Sequence, residues 1–457
     1  MIRNMKYIIF LLVVTNIYAK TITVINNCDQ VIRLGHTGGF IRSILSRSEC
    51  LEQNKHWDPR RSGCFYKFDD GYQFLERNQE AELFIEDIWS GHIWASTGCS
   101  EIDGVVKCET GVCGTSTSAC TPSVGPTGPV TKAEFTFNVD GVDWYDVSII
   151  DGVNLPIEIL PLDSRCKTVG NVDECNWQFD PSIENEDLEG DLRFVTTETD
   201  ITSCRVNNDC PLEQVCGKNR NLQNYVCGFP LGWWSAVSSC ASHVTTNISP
   251  FFCSQYTLQG DALTNGDLYG CSDNDGKHYT QSGYNIHLPQ DVDEENICGC
   301  VEWSSYLNMN VNTAHSCAHI NPVWTERALP FCGFLKKACK NAYTYAYDDA
   351  TSLWTCTDKD TSFNGKNNVD YIFTFCPQNS EEHMLFSNKQ QHQTYTPTPS
   401  PTTPSPTTPS THICEKYGSC KVLQCMFDDK CLLQGGMGCI AYTPCRYCGF
   451  SIFPQCS

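Results

Sequence analysis

Short runs in which apolar and polar residues alternate, or in which β-branched residues cluster, recur along most of the chain. Ile22-Thr-Val-Ile25, Glu82-Leu-Phe-Ile85, Glu134 to Phe137 and Tyr371-Ile-Phe-Thr-Phe375 are such runs, and Gly, Asn and Asp break them apart. A period of two with this punctuation predicts strands that bury one face, and several of them predict a mainly β domain, a sandwich or a barrel. The stretch from about Ser164 to Cys339 differs. It holds 14 of the 23 cysteines that precede residue 385, many loop signals and one predicted helix near Phe331 to Lys340, and it reads as a disulfide-braced lobe. No period of 20 to 50 residues repeats, which argues against a solenoid or propeller.

The segment AEFTFNVDGVDWYDVSIIDGVNLP, Ala133 to Pro156, predicts two strands folded on each other around Asp140-Gly141 and carries Glu134, Asp146 and Asp151. The turn decides where those carboxylates point. With a two-residue loop, Val139 pairs with Val142 and Glu134 opposes Val147, so Glu134 and Asp146 face opposite sides. A three-residue loop, Val139 to Gly141 with Gly141 at positive φ, makes Glu134 oppose Asp146 and is the preferred reading. Like charges so placed are destabilising unless a site uses them, and the bland alternative is three solvated carboxylates.

Composition places the chain outside the cytosol. Arg3 and Lys6 precede an apolar run from Tyr7 to Val14, and Ala19 offers a small residue for cleavage, the pattern of a secretory leader over residues 1–19 with a mature start at Lys20. No later stretch has the length of a membrane span. Thirty-one cysteines in such a chain predict disulfides, and their odd number leaves one thiol over. The net charge of −22 argues against nucleic acid and suits a neutral or cationic ligand, with neutral polysaccharide a natural candidate. No motif requires a cofactor or a metal, and nothing specifies an oligomeric state.

Near its end the chain divides. Residues 20–384 form the large domain, and 385–412 contain a spacer, Tyr395 to His412, of Pro, Thr and Ser that predicts an extended and O-glycosylated linker. Residues 413–457 carry eight cysteines in a module too short for an ordinary core, so bridges must hold it. Such a tether fits a second binding unit, or else a compact knot with no sugar affinity.

Six blocks carry a resemblance: ITVINNC from Ile22, WSGHIWASTGC from Trp89, CETGVCG from Cys108, the Ala133 to Pro156 segment, YTYAYDDATSLWTC from Tyr343 and YIFTFCP from Tyr371. In this order they resemble the thaumatin-like proteins of pathogenesis-related type, with CGCVEW from Cys298 and NPVWTERALPFCGFLKKAC from Asn321 closer to fungal-type members. The resemblance implies a mainly β fold, a sandwich beside a disulfide-rich loop lobe, with an acidic cleft between them. It also implies the bridges Cys28–Cys376, Cys99–Cys108, Cys113–Cys120, Cys166–Cys356 and Cys175–Cys339. Cys204, Cys210, Cys216 and Cys227 lie in an insertion and are expected to bridge among themselves, while Cys50 and Cys64 bracket another.

Members of the family line the cleft with one Arg, one Glu and three Asp. Position by position this implies Glu134, Asp146, Asp151 and, from the Tyr-Asp-Asp triplet, Asp348, with Asp349 as its near alternative. The Arg has no match: His92 stands after Trp-Ser-Gly, and Ser96 replaces the next customary Arg. A histidine charges only near its usual pKa of about 6.5, so a cleft function that relies on His92 is expected to strengthen as pH falls toward about 5. Some members bind β-1,3-glucan and a subset hydrolyse it. If this chain did so, Glu134 would be the acid, Asp151 its partner, and Asp146 and Asp348 would keep Glu134 protonated. The resemblance therefore implies a secreted polysaccharide binder in defence or matrix biology, a glucanase, or a structural matrix protein.

Other motifs weigh less. His315 and His319 flank Cys317 at a zinc-like spacing, and Ser272 to Gly276 resembles the start of a calcium loop that lacks its closing Glu. Asn247-Ile-Ser249 is a glycosylation sequon followed by Pro250. Trp233, Trp234 and Trp354 are candidates to stack on sugar, against the usual alternative of core.

Overall fold

The computed structural model describes residues 20–377 apart from 43–45, 69–71, 86–87, 103–104, 114–120, 178–193, 196–201, 213, 219–224, 243–250, 255–263, 272–297, 299–300, 308–321 and 359–366. The leader, the linker, the terminal module, Asn247, Cys120, the His315/Cys317/His319 cluster and the Ser272 to Gly276 loop lie outside the described residues.

Two sheets face each other. The first orders β8 (Ile157–Pro161), β11 (Tyr371–Phe375), β1 (Lys20–Asn26) and β4 (Glu80–Ile85). The second orders β9 (Ala342–Tyr343), β7 (Val142–Ser148), β6 (Lys132–Val139), β5 (Ser90–Ser96), β2 (Ile32–Gly38) and β3 (Phe74–Leu75), with β10 (Trp354–Cys356) also pairing β7. The alternation seen in the sequence is what closes the sandwich: Ile22, Val24, Leu83 and Ile85 of one sheet share a core with Ile93, Phe135, Phe137, Tyr145 and Val147 of the other. β1 and β11 run parallel, and the Cys28–Cys376 bridge just beyond their ends ties the two termini of the domain together. In isolation a closure of 348 residues is worth roughly 5 to 6 kcal/mol in the chain-entropy model, and the nested bridges reduce that.

The first residue of β1 is a buried lysine. Lys20 Nζ meets Asp143 Oδ2 at 2.5 Å and the Val369 carbonyl at 2.8 Å, and Tyr371 donates its hydroxyl to the same carboxylate. Burial pushes the Lys20 pKa down, and the Asp143 partnership opposes that shift.

The second core belongs to the lobe. Trp234, Phe251, Leu268, Trp303, Trp324 and Leu329 pack together around a helix, α1 (Leu329–Ala338), two residues ahead of the span read from sequence, with Pro330 in its first turn. The bridges Cys99–Cys108, Cys166–Cys356, Cys175–Cys339 and Cys50–Cys64 are present, and the insertion pairs Cys204 with Cys216 and Cys210 with Cys227. Cys113 is bridged as well. Cys240–Cys253 and Cys271–Cys298 complete the described set, and among the described residues Cys332 is unbridged and buried.

Candidate functional site

The hairpin resolves the turn question in a way that differs from both alternatives. Asp140 and Gly141 both take positive φ and close a two-residue loop with Val139 opposite Val142. Glu134 nevertheless opposes Asp146, because a bulge between Thr136 and Val139 restores the register one residue later. Asn138 sits in that bulge at φ 57°, its backbone N–H donating to Asp143 Oδ1 and its own Oδ1 accepting from Asn367 N at 2.6 Å. The bulge thus accepts a hydrogen bond from a residue 229 positions away.

On the core side of β6 lie Ala133, Phe135 and Phe137, so Lys132, Glu134 and Thr136 face outward. One rung across the sheet reads Thr37, His92, Glu134, Asp146. Glu134 Oε1 accepts from His92 Nδ1 at 3.0 Å and from Lys132 Nζ at 3.1 Å, and the same ammonium reaches Asp151 Oδ2 at 3.0 Å. The structure therefore brings together four of the five expected residues and adds Lys132. This buried lysine fills the cationic role that the missing arginine left open. Its signal in the sequence is only its place two residues before Glu134, on the same strand face.

The fifth residue lies elsewhere. Asp348 is buried in the lobe, where Lys336 Nζ, Trp303 Nε1, the Thr344 backbone N–H and hydroxyl, and the Thr351 hydroxyl all donate to it. Its neighbour Asp349, half-buried and bonded by the Tyr343 hydroxyl at 2.7 Å, is the triplet carboxylate whose charge acts on Asp146.

The electrostatics redistribute the proton. Burial raises the Glu134 pKa, but the Lys132 ammonium and His92 outweigh it and hold the carboxyl at about 2, against an ordinary 4.5. For Asp146 burial and the opposed Glu134 charge act in the same direction, joined by Asp349, and push its pKa well above the carboxylate range. Glu134 Oε2 and Asp146 Oδ1 are both buried without a hydrogen-bond partner. Two facing carboxyls in that state share one negative charge, so the crowding expected to protonate Glu134 protonates Asp146 instead. Burial lowers the Lys132 pKa, but Asp151 and Glu134 reverse this and raise it overall.

Two of the three tryptophans singled out from sequence are closed to sugar by burial. Trp233 and Trp234 are fully buried, and Trp354 packs on the core with Lys167 over its ring.

A model of the thaumatin family matches residues 65–265. Thaumatin-like protein 1b of Malus domestica is 34% identical over 291 residues, covering 63% of this chain and 83% of its own. The chain belongs to the thaumatin family. Pathogenesis-related thaumatin-like protein 3.5 of Cryptomeria japonica is 25% identical over 362 residues, covering 79% of this chain and 90% of its own. Thaumatin-like protein 1 of Castanea sativa is 25% identical over 299 residues, covering 65% and 74%. Membership accounts for the mainly β sandwich and the many disulfides, and those bridges fit an oxidising compartment.

Proposed function

We propose that this thaumatin-family protein is secreted and binds a neutral polysaccharide, β-1,3-glucan being the first candidate, through the His92, Lys132, Glu134, Asp146 and Asp151 cleft, without turning it over. The observation that carries the reading is the position of Lys132. One ammonium occupies the space between Glu134 and Asp151, the two residues that hydrolysis would use as acid and partner. Held as an anion, Glu134 is not poised to donate a proton to a glycosidic oxygen. A fixed array of carboxylates, an imidazole and an ammonium is instead suited to accept and donate hydrogen bonds to sugar hydroxyls.

A defence or wall role in the manner of the pathogenesis-related relatives follows from binding of this kind. The test is calorimetric titration of the purified mature protein with soluble β-1,3-gluco-oligosaccharides, beside β-1,4-glucan and xylan fragments. Saturable heat with the β-1,3 series that is lost in Glu134→Gln supports the proposal. Absence of binding to every glycan in the panel removes it.

A further inference from the structure

One strand step from the carboxylate rung, on the same sheet face, stands another rung: Ser90, Thr136, Trp144 and Thr355. Residues two apart on a strand share a face and lie about 6.8 Å apart, so Trp144 adjoins Asp146 and lies diagonally across from Glu134. Its neighbour Tyr145 points the other way, into the core against Tyr371. The Trp144 indole is half-buried, and among the described residues no ring, cation or hydrogen-bond acceptor engages it. Beside it the Ser90 and Thr136 hydroxyls hold each other at 2.8 Å on the exposed surface. Trp144 belongs to none of the described hydrophobic cores, and a paired hydroxyl at its edge leaves donor and acceptor capacity for a ligand.

We propose that Ser90, Thr136 and Trp144 form a sugar subsite next to the acidic cluster, with one neutral hexopyranose ring of a polysaccharide stacked on the Trp144 indole and its hydroxyls bonded by Ser90 and Thr136. The inference rests on the proposed polysaccharide reading and deepens it. Pyranose rings present an apolar C–H face and a polar rim, the two surfaces this rung offers. The carboxylate rung then holds the neighbouring sugar, so the two rungs together select a chain over a monosaccharide.

Trp144→Ala, Trp144→Phe and the wild type are titrated with β-1,3-gluco-oligosaccharides of two to six units, and their melting temperatures are compared. The indole's protection from acrylamide quenching is read as the wild-type signal minus that of Trp144→Phe. The expected result is that Trp144→Ala weakens binding of the longer oligosaccharides about tenfold or more, that Trp144→Phe retains most of it, and that saturating oligosaccharide shields the Trp144 indole. Binding by the wild type with unchanged affinity in Trp144→Ala overturns the subsite and leaves the polysaccharide reading standing. No binding by the wild type to any glycan overturns both. If Trp144→Ala melts early, an indole that oligosaccharide does not shield in the wild type overturns the subsite by itself.

Discussion

Replacing Lys132 with Met keeps an unbranched side chain one atom shorter and removes its charge. The ammonium it removes is the group that pairs with Glu134 and Asp151, at 3.1 and 3.0 Å, in a setting where the lysine and Glu134 side chains are only 7% and 6% exposed. Breaking such a pair strands a buried charge and costs about 3 to 5 kcal/mol. The pKa of Glu134 gives an independent figure of the same order. Holding the carboxyl at about 2 instead of 4.5 corresponds to on the order of 3 kcal/mol of stability at neutral pH. Because the folded pKa is depressed, that stability is present above pH 4.5 and is lost as pH falls toward 2. In Lys132→Met the carboxyl loses its main partner, and burial together with Asp146 raises its pKa, so the variant regains stability by taking up a proton. Urea unfolding with the disulfides intact, at pH 7 and pH 4, should show a deficit of about 3 to 5 kcal/mol that shrinks by at least half at the lower pH. A deficit under about 1 kcal/mol, or one equal at both pH values, would refute the claim that Lys132 neutralises the cleft.

Asp146 carries the opposite sign: with its folded pKa raised, its protonated state supports the fold below the ordinary carboxylate value, and that support is lost as pH rises toward the folded pKa. Asp146→Asn should therefore match the wild type within about 1 kcal/mol at pH 5 and exceed its melting temperature at pH 8, as calorimetry would show. Asp348→Asn should cost about 3 kcal/mol or more by leaving Lys336 without its anion, while glycan affinity changes less than twofold; Asp349→Asn should reverse that pattern. Asn138→Ala places a Cβ-bearing residue without a polar side chain at positive φ and removes the acceptor of the Asn367 N–H, so it should destabilise by about 1 to 3 kcal/mol in urea unfolding.

The sandwich is legible because its strands follow a period of two that physical chemistry requires of a half-buried sheet: Phe135 and Phe137 face the core as their spacing indicates. The pairing of Glu134 with Asp146 is as the sequence suggests, but it is reached through a different turn. A bulge at Asn138 leaves no local mark apart from the residue's tolerance of positive φ, and its partner Asn367 lies on a distant segment. Lys132 is illegible for a similar reason, since its importance comes from Asp151, which a loop beyond β7 returns to the same ammonium. Asp348 and Asp349 are adjacent in sequence, and only the position of Lys336 on α1 shows which of them the lobe takes up. The tryptophans at 233 and 234 sit beside Gly and Ser, a setting that suits a surface loop as well as a core, whereas Trp144 lies within a strand whose facing direction the bulge determines.

The central claim is an acidic cleft that holds a polysaccharide and leaves it intact. Its most direct test incubates the purified protein and Glu134→Gln with insoluble β-1,3-glucan, then measures the bound fraction and the reducing ends in the same tubes. The account predicts that the wild type sediments with the glucan, that Glu134→Gln stays in the supernatant, and that reducing ends never exceed the protein-free control. Reducing ends that appear with the wild type and vanish with Glu134→Gln would contradict it, as would equal retention of the two proteins.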